Sequence, residues 1–246
     1  MALPIILQTQ YAIGIDIGGT NTKFGIVDAR GDILYRGAIS TRKHEDVHDF
    51  IDELYEAVKP AVETVGGWNH IKGVGVGAPN GNYYKGTVEY APNLTWTGIV
   101  PLASLIKSKF GLPAWLTNDA NAAAVGEMMY GAARGMRDFI MITLGTGVGS
   151  GIVANGQLIY GHDGFAGELG HTIIIPGGRH HPGTGAYGSL EAYASATGMK
   201  NTAIEMLTEH PGTPSELRKY SLEDLESHHV YECAVRGDKI ALQVFE

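Results

Sequence analysis

Two carboxylates and three histidines lie within one glycine-rich segment, residues 168–191 (ELGHTIIIPGGRHHPGTGAYGSLE): Glu168, His171, His180, His181 and Glu191. Side chains of these types can coordinate a metal ion, exchange protons with a substrate, or form hydrogen bonds to a polar ligand. Their types and spacing leave all three chemistries open, so the choice depends on the rest of the chain.

A turn suited to phosphate occupies residues 16–23, DIGGTNTK. Its two glycines permit positive φ, so that successive N–H groups can point at one anion, and two threonines add hydroxyls. Asp16 can hold a hydrated Mg²⁺ beside the phosphates. An ordinary hairpin turn needs a glycine but not this combination of acid, hydroxyls and lysine. We therefore predict that phosphate is bound by Gly18, Gly19, Thr20, Asn21, Thr22 and Lys23.

A second glycine turn occupies residues 144–151, LGTGVGSG, in which Gly145, Thr146 and Gly147 are predicted to form a second phosphate clamp. The spacing superficially matches a dinucleotide fingerprint. That fingerprint requires a helix after the glycines, whereas the following GIVANG is typical of a strand. A P-loop is excluded because Gly-Lys-Ser/Thr occurs nowhere in the sequence.

Asn118 and Asp119 stand within residues 117–124, TNDANAAA, where a predicted strand gives way to a predicted helix. Asn and Asp commonly cap a helix N-terminus. A carboxylate in the same place can serve as a general base at the mouth of a cleft. Sequence spacing alone leaves both roles open.

The segment HEDVH, residues 44–48, matches the zinc-protease pattern H-E-x-x-H. It opens a predicted helix whose apolar face lies elsewhere, and charged residues surround both histidines. We interpret His44 and His48 as part of a solvated face rather than as metal ligands.

Composition excludes several functions. The chain has 246 residues and a formal net charge of −8, which argues against binding to nucleic acid or an anionic membrane. Cys233 is the only cysteine, so no internal disulfide and no cysteine-based zinc site can form. The N-terminus lacks the basic region of a signal peptide, and no apolar run could span a bilayer. We therefore predict a cytoplasmic protein.

Hydrophobic periodicity predicts two rounds of strands and helices. The first round comprises strands at 11–19, 71–79 and 113–119, a hairpin at 22–40, and helices at 45–65, 102–110 and 120–132. The second comprises strands around the second glycine turn and an Asn155-Gly156 hairpin. The two glycine-turn hairpins suggest a weak internal duplication. Helices are predicted at 189–201, 214–229 and 230–246, the last running to the final residue.

Several motifs in a fixed order resemble those of the ROK family of sugar kinases and sugar-responsive repressors, and most of all its glucokinases. They are DIGGTNTKFGIVD, GVGVGAPNG, APNL, LTNDANAAAVGE, LGTGVGSGIV, GELGH and GSLE. The resemblance is strong over residues 11–191 and weak beyond. It implies an α/β protein with the actin/hexokinase-like ATPase fold, in which two α/β domains flank a cleft. We place the domains at residues 1–118 and 119–246, the second incomplete at its C-terminus.

The resemblance also implies roles for individual residues. Asp119 is expected to be the catalytic base, and the two glycine turns are expected to hold the phosphates of ATP with Mg²⁺ near Asp16. Sugar-binding residues are expected at Asn80, Asn93, Asn118, Asp119, Glu168, His171 and Glu191.

This sequence departs from the family pattern in two places. Many members carry three zinc-binding cysteines, whose positions here hold Pro182, Thr184 and Ser189, so no zinc is expected. His180 and His181 with His171 would be the remaining candidates for a metal site. The family's adenine-site segment and closing helix are also not visible, so we expect either a fragment or a weakened grip on the nucleotide.

The expected activity is ATP-dependent phosphorylation of a hexose, with glucose giving glucose 6-phosphate as the first expectation. The alternatives are an N-acetylhexosamine or fructose kinase of the same family, and a non-catalytic sugar-binding regulator. The expected partners are the hexose and ATP, within a homodimer, without nucleic acid or membrane.

Overall fold

The computed structural model describes residues 10–246. Contact density groups the chain into two units. The first unit comprises residues up to Met141 together with Gly151–Gly167, and the second comprises Ile142–Ser150 together with Glu168–Glu246. The predicted division of the chain into domains at residues 1–118 and 119–246 stays a prediction.

Eleven strands occur in the described part of the chain: β1 Tyr11–Ile17, β2 Asn21–Asp28, β3 Ile33–Ser40, β4 Ile71–Ala78, β5 Gly81–Asn82, β6 Thr87–Glu89, β7 Ile99–Val100, β8 Ala114–Asn118, β9 Phe139–Leu144, β10 Val148–Ala154 and β11 Gln157–Leu158. Seven α-helices accompany them within residues 10–246: α1 Val47–Glu63, α2 Leu102–Phe110, α3 Asp119–Tyr130, α4 Glu191–Ala194, α5 Ala196–Glu209, α6 Ser227–Val235 and α7 Lys239–Val244.

A five-stranded sheet organises the first unit, in the order β3-β2-β1-β4-β8. Strands β1, β2 and β3 are antiparallel neighbours, whereas β1, β4 and β8 run parallel. Alternate residues of β1, namely Ile13, Ile15 and Ile17, are buried, as the two-residue period of a strand requires. The parallel strands therefore end at one edge of the sheet, where the candidate site lies.

Helix α1 supplies one side of the first unit's hydrophobic core. Its buried residues recur at helical spacing: Phe50, Ile51, Leu54, Val58, Ala61 and Val62. Asp46 caps the helix by accepting a hydrogen bond of 2.6 Å from the N–H of His48. Pro60 is accommodated within the helix.

The second unit has a smaller, helical core in which α5, α6 and α7 pack together around Ala203, Leu207, Leu217, Val230 and Ile240. Asp238 connects two segments of this unit. Its Oδ1 accepts hydrogen bonds from Ala241 N in α7 at 3.0 Å and from the hydroxyl of Ser215. These bonds link the N-terminal end of α7 to the segment that precedes the 3-10 turn Glu216–Lys219.

Most predicted elements are confirmed, including the β2–β3 hairpin, α1, α2 ended by Gly111 in a left-handed conformation, and the Asn155-Gly156 turn. The continuous helix predicted over 214–229 is wrong: only a 3-10 turn, Glu216–Lys219, forms before α6. The helix predicted over 189–201 is broken at Ser195, whose extended backbone and side chain cap α5. The single helix predicted over 230–246 is also wrong: α6 ends at Val235, Gly237 has a φ of 87°, and α7 then runs only from Lys239 to Val244.

The interpretation of HEDVH needs one correction. His48 is exposed, but His44 is buried, with its ring edge toward Phe50 and its Nε2 2.9 Å from a carboxylate oxygen of Glu53. Among residues 10–246, no group of three His, Cys, Asp or Glu side chains could hold a metal ion.

No helix within residues 10–246 is long and apolar enough to cross a membrane.

Replacing Leu54 by alanine tests the role of α1. Leu54 is completely buried, so Leu54→Ala is expected to lower the free energy of unfolding by about 2–5 kcal/mol through lost burial and a residual cavity. Glu56→Ala, at an exposed position of the same helix, is expected to change it by less than about 0.5 kcal/mol. Urea unfolding measures both. Equal losses would show that α1 does not pack as described.

Candidate active site

The first unit brings Asp16 and Asp119 to the same edge of its sheet. Asp16 is paired with Gly77 between parallel strands β1 and β4, and Gly77 is paired with Thr117 between β4 and β8. Asp119 follows directly after β8 as the first residue of α3. The carboxyl ends of parallel strands are where open α/β sheets place their ligands. This edge is therefore the candidate catalytic edge of the first unit.

Asn118 takes one of the two roles that the sequence left open, that of a helix cap. The Oδ1 atom of Asn118 accepts hydrogen bonds from Ala120 N at 2.8 Å and Asn121 N at 3.3 Å, so Asn118 is the N-cap of α3. Asp119 is exposed, and its Oδ1 accepts from Ala120 N at 2.8 Å. Its carboxylate therefore has a fixed position at a helix N-terminus while remaining accessible to a ligand.

The surroundings of Asp16 raise the pKa of its carboxyl group above the usual range. Partial desolvation by the surrounding protein is the largest cause, and the negative charge of Asp119 adds to it, whereas Lys23 acts in the opposite direction. Lys23 lies directly opposite Asp16 in the β1–β2 pair. Two neighbouring carboxylates, one of them with a raised pKa, are a donor set that a divalent cation would stabilise, so these residues fit Mg²⁺.

The first glycine turn differs from the prediction in its backbone. Neither Gly18 nor Gly19 has positive φ. Glycine is required at position 19 by close packing: a Cβ there would lie 2.7 Å from the carbonyl oxygen of Asn93. The turn itself is closed by a 3.0 Å hydrogen bond from Gly18 N to Asn21 O. This packing brings Asn93, an exposed predicted sugar ligand, against the predicted phosphate turn.

The predicted phosphate contact of Thr22 is not supported for its side chain. Thr22 is completely buried, and its hydroxyl lies 2.8 Å from that of Thr41, which is also buried. The two hydroxyls join β2 to the end of β3 instead of facing a ligand. Thr20, Asn21 and Lys23 are exposed on the same turn.

Asn80 has a structural role in the first unit. Its φ of 51° is in the left-handed region, and its amide nitrogen donates to the carbonyl oxygens of Glu89 at 3.0 Å and Tyr90 at 3.3 Å. These bonds hold the turn after β4 against the end of β6. Its predicted sugar contact stays a prediction.

In the second unit, the carboxylate of Glu191 lies against the second glycine turn. Its Oε2 accepts a 2.6 Å hydrogen bond from Val148 N, and its Oε1 lies 3.1 Å from Nε2 of His181. A Cβ on Gly147 would collide with this carboxylate, and one on Gly170 would lie 3.3 Å from Oε2. Glycine at 147 therefore allows the turn and the carboxylate to approach each other.

The predicted sugar ligands of the second unit lie on paired segments. Ile173 and Ser189 form an antiparallel bridge, and Leu190 N donates to Thr172 O at 2.8 Å. This pairing brings the two ends of residues 168–191 together. Glu168 precedes a 3-10 turn, Leu169–His171, and both it and His171 are exposed.

The second glycine turn also meets the N-terminal end of α5. Ala196 N donates to Gly145 O at 2.8 Å, and the Thr197 hydroxyl donates to Thr146 O at 3.4 Å. Gly145 and Thr146 are exposed. The N-terminal end of a 14-residue helix carries partial positive charge, which favours a phosphate near this turn.

Two of the positions at which the resemblance implied cysteines, Thr184 and Ser189, hold other interactions in this chain. Ser189 is buried, and its hydroxyl accepts from Ala192 N at 3.4 Å. The hydroxyl of Thr184 lies 3.1 Å from Nδ1 of His181. From the sequence, His181 is a candidate only as a metal ligand, and Arg179 has no predicted role. The contact of His181 with Glu191 depends on a loop conformation that no sequence pattern specified.

Comparison with known proteins places these features in a family. Residues 12–246 match the ROK family. A glucokinase from Halalkalibacterium halodurans is 35% identical over 245 residues, which cover 98% of this chain and 73% of that protein. A xylose repressor from Caldicellulosiruptor bescii is 36% identical over 181 residues, which cover 70% of this chain and 44% of that protein.

The match extends to solved structures. The crystal structure of a ROK family glucokinase from Streptomyces griseus in complex with glucose and AMPPNP is 36% identical, with a TM-score of 0.77, and the match covers 96% of this chain and 74% of that one. The protein therefore has the actin/hexokinase-like ATPase fold that the sequence predicted. The chain belongs to the ROK family.

Replacing Asp16 tests its raised pKa. A carboxyl whose folded pKa is raised costs stability when ionised, and this cost appears as the pH rises from the ordinary pKa through the folded one. Asp16→Asn is therefore expected to raise the melting temperature at pH 7, with the gain shrinking as the pH falls toward about 4.

Asp238 provides a control of opposite sign for that measurement. Desolvation raises the pKa of its carboxyl, but hydrogen bonds from Ala241 N, Glu216 N and Ser215 outweigh this effect and lower it. Its stabilising contribution is present above the ordinary pKa and lost as the pH falls. Asp238→Asn should therefore lower the melting temperature at pH 7. A lowered melting temperature for Asp16→Asn as well would contradict the assignment.

Alanine at position 147 tests the approach of Glu191 to the glycine turn. In Gly147→Ala the new Cβ displaces the carboxylate from Val148 N and His181, so sugar affinity is expected to fall roughly tenfold. Gly145→Ala is the matched control, since a Cβ there meets nothing within 4 Å. Calorimetric titration with glucose, without nucleotide, compares the two variants. Equal glucose affinities in the two variants would show that the approach of Glu191 does not require glycine at position 147.

Proposed function

We propose that the protein transfers the γ-phosphoryl group of ATP to a hydroxyl of a hexose, and that glucose, giving glucose 6-phosphate, is the substrate. The observation that supports this most strongly is the common edge of β1, β4 and β8, which carries Asp119 beside Asp16 and the first glycine turn. Similarity to glucokinases over most of the chain supports the same reaction and favours glucose.

Asp119 is the proposed general base. As the hydroxyl oxygen of the sugar attacks the γ-phosphorus, its proton passes to the Asp119 carboxylate, the bond from phosphorus to the bridging oxygen breaks, and ADP leaves. Phosphoryl transfer asks little covalent chemistry of the protein, so alignment and neutralisation of charge account for the rate. The hydrogen bond from Ala120 N keeps the Asp119 carboxylate in position for this step.

The phosphates of ATP are proposed to lie on the two glycine turns, with Gly18, Gly19, Thr20, Asn21 and Lys23 on the first. Gly145, Thr146 and Gly147 form the second, next to the N-terminal end of α5. Mg²⁺ held through water by Asp16 would neutralise developing charge on the phosphates. Lys23 opposite Asp16 adds a positive charge at the same place.

Hydroxyls of the sugar are proposed to bind Asn118 and Asn93 in the first unit, and Glu168, His171 and Glu191 in the second. Carboxylates and amides that must be satisfied by hydroxyls discriminate against sugars lacking them, because a buried polar group would otherwise stay unpaired. We further propose that the protein works in the cytoplasm as a homodimer and needs no zinc.

Asp119→Asn tests the base. The asparagine keeps an Oδ1 acceptor for Ala120 N, so the helix start should survive, whereas proton acceptance is lost. In the full-length protein, kcat is expected to fall by about 10²–10⁴-fold, with sugar affinity changed only a few-fold. Glu127→Gln, in the same helix, is the matched control and should keep normal turnover. Substantial turnover by Asp119→Asn would disprove the assignment.

The identity of the sugar is tested by ADP release over a panel of glucose, fructose, N-acetylglucosamine and N-acetylmannosamine. Glucose is expected to give the highest kcat/KM. A higher value for another member would reassign the substrate within the same reaction.

The second candidate function is that of a sugar-binding regulator, which the similarity to a xylose repressor favours. Such a protein would bind a sugar in calorimetry but release no ADP with any member of the panel. The net charge of −8 argues against a DNA-binding surface on this chain. ADP release dependent on both sugar and Asp119 would exclude this candidate.

A further inference from the structure

The loop of residues 176–189 is fixed by side-chain hydrogen bonds. Arg179 is the principal anchor. Its guanidinium donates to both carboxylate oxygens of Glu205, at 2.9 and 2.6 Å, and to the hydroxyl of Thr202 at 2.9 Å. It also donates to the carbonyl oxygens of Ala192 and Gly198. These bonds tie the loop to α4 and α5.

Tyr193 completes this anchor. Its ring lies under the guanidinium of Arg179, 4.6 Å from ring centroid to Cζ, and its hydroxyl accepts a 2.7 Å hydrogen bond from the main-chain N–H of Arg179. The side chain of Arg179 is only 13% exposed. A largely buried guanidinium with its donors satisfied in a planar fork is a rigid attachment point.

His181 connects the anchored loop to the sugar-binding carboxylate. Its main chain is fixed by a 2.8 Å bond from its own N–H to Ala186 O and another from Gly185 N to its carbonyl oxygen. Its Nδ1 lies 3.1 Å from the Thr184 hydroxyl, and its Nε2 lies 3.1 Å from Oε1 of Glu191. In the tautomer whose Nδ1 accepts from the Thr184 hydroxyl, Nε2 carries the proton and can donate to the carboxylate.

The Glu191 carboxylate is therefore held from two sides, by Val148 N after the second glycine turn and by His181 from the loop. Each oxygen retains a lone pair for a ligand, because a carboxylate offers about four acceptor sites. Both oxygens thus stay in a fixed plane while remaining able to accept from sugar hydroxyls.

We propose that His181 is a positioning residue for sugar binding, which acts by orienting Glu191, and that Arg179 fixes the loop that carries His181. This inference rests on the proposed function, because it assumes that Glu191 binds the sugar. His180, the neighbouring residue, has no such role: its ring packs on Tyr187 instead, with ring centroids 4.8 Å apart.

The test is calorimetric titration of the full-length protein with glucose in the absence of nucleotide. His181→Ala is expected to weaken glucose binding roughly tenfold, since a hydrogen bond to a charged group is lost. His181→Gln, whose amide can still donate to Glu191, is expected to restore most of the affinity. His180→Ala is the matched control and should bind glucose as the wild type does.

A double-mutant cycle separates positioning from a general effect on folding. In a Glu191→Gln background, His181→Ala is expected to cause little further loss, because the residue through which it acts has already changed. In kinetics with the full-length protein, His181→Ala should raise KM for glucose while changing kcat less. Losses that simply multiply in the double variant would overturn the inference.

Two further outcomes distinguish the proposals. Wild-type protein that binds no hexose would overturn both this inference and the proposed function. Wild-type binding with unchanged affinity in His181→Ala would overturn the inference alone.

Arg179→Ala is expected to make residues 176–189 more sensitive to protease, whereas a chelator should leave glucose affinity unchanged. Loss of affinity on chelation would show that a metal, rather than Arg179, fixes the loop.

Discussion

The parallel pairing of β1, β4 and β8 is the constraint on which the chemistry of the first unit depends. Because Asp16, Gly77 and Thr117 are in register, the residues that follow these strands must share one edge of the sheet. This register determines that a carboxylate from the end of β1 and another from the start of α3 interact electrostatically.

The second unit positions its candidate ligands differently. No long sheet aligns them within the described residues, so individual side chains do so instead. Arg179 fixes a loop, His181 contacts Glu191, and Val148 N completes the grip on the carboxylate. Such an arrangement relies on charge-assisted hydrogen bonds, which are directional and strong where water is excluded. This arrangement has an energetic cost, because each buried donor must be paired with an acceptor when the loop folds.

Local sequence signals predicted much of the fold. The features that they did not predict depend on contacts between residues that are distant in sequence. The alternation of β1, the helical spacing in α1 and the capping residues before α3 are short-range signals, and the corresponding elements form as expected. Thr22 has the composition of a phosphate ligand, but its hydroxyl pairs with Thr41 across a strand.

The glycine turns illustrate the same limit. Gly19 is needed because Asn93 packs against it, and Gly147 because of Glu191, so neither requirement is visible in the turn's own residues. Likewise, the helix predicted over 214–229 is interrupted between two extended residues, Tyr220 and Glu226. Periodicity reports which face of an element is apolar, but not where its backbone will be interrupted.

The capping of α3 by Asn118 has a consequence for the direction of hydrogen bonding at the candidate site. Both lone pairs of its side-chain oxygen are directed to the N–H groups of Ala120 and Asn121, so the amide NH₂ is what Asn118 offers to a ligand. Asp119, when ionised, can only accept. A hydroxyl lying between Asn118 and Asp119 would therefore donate its hydrogen to the Asp119 carboxylate. Its oxygen would accept a hydrogen bond from the Asn118 amide. The start of a helix in this way assigns donor and acceptor before any substrate arrives.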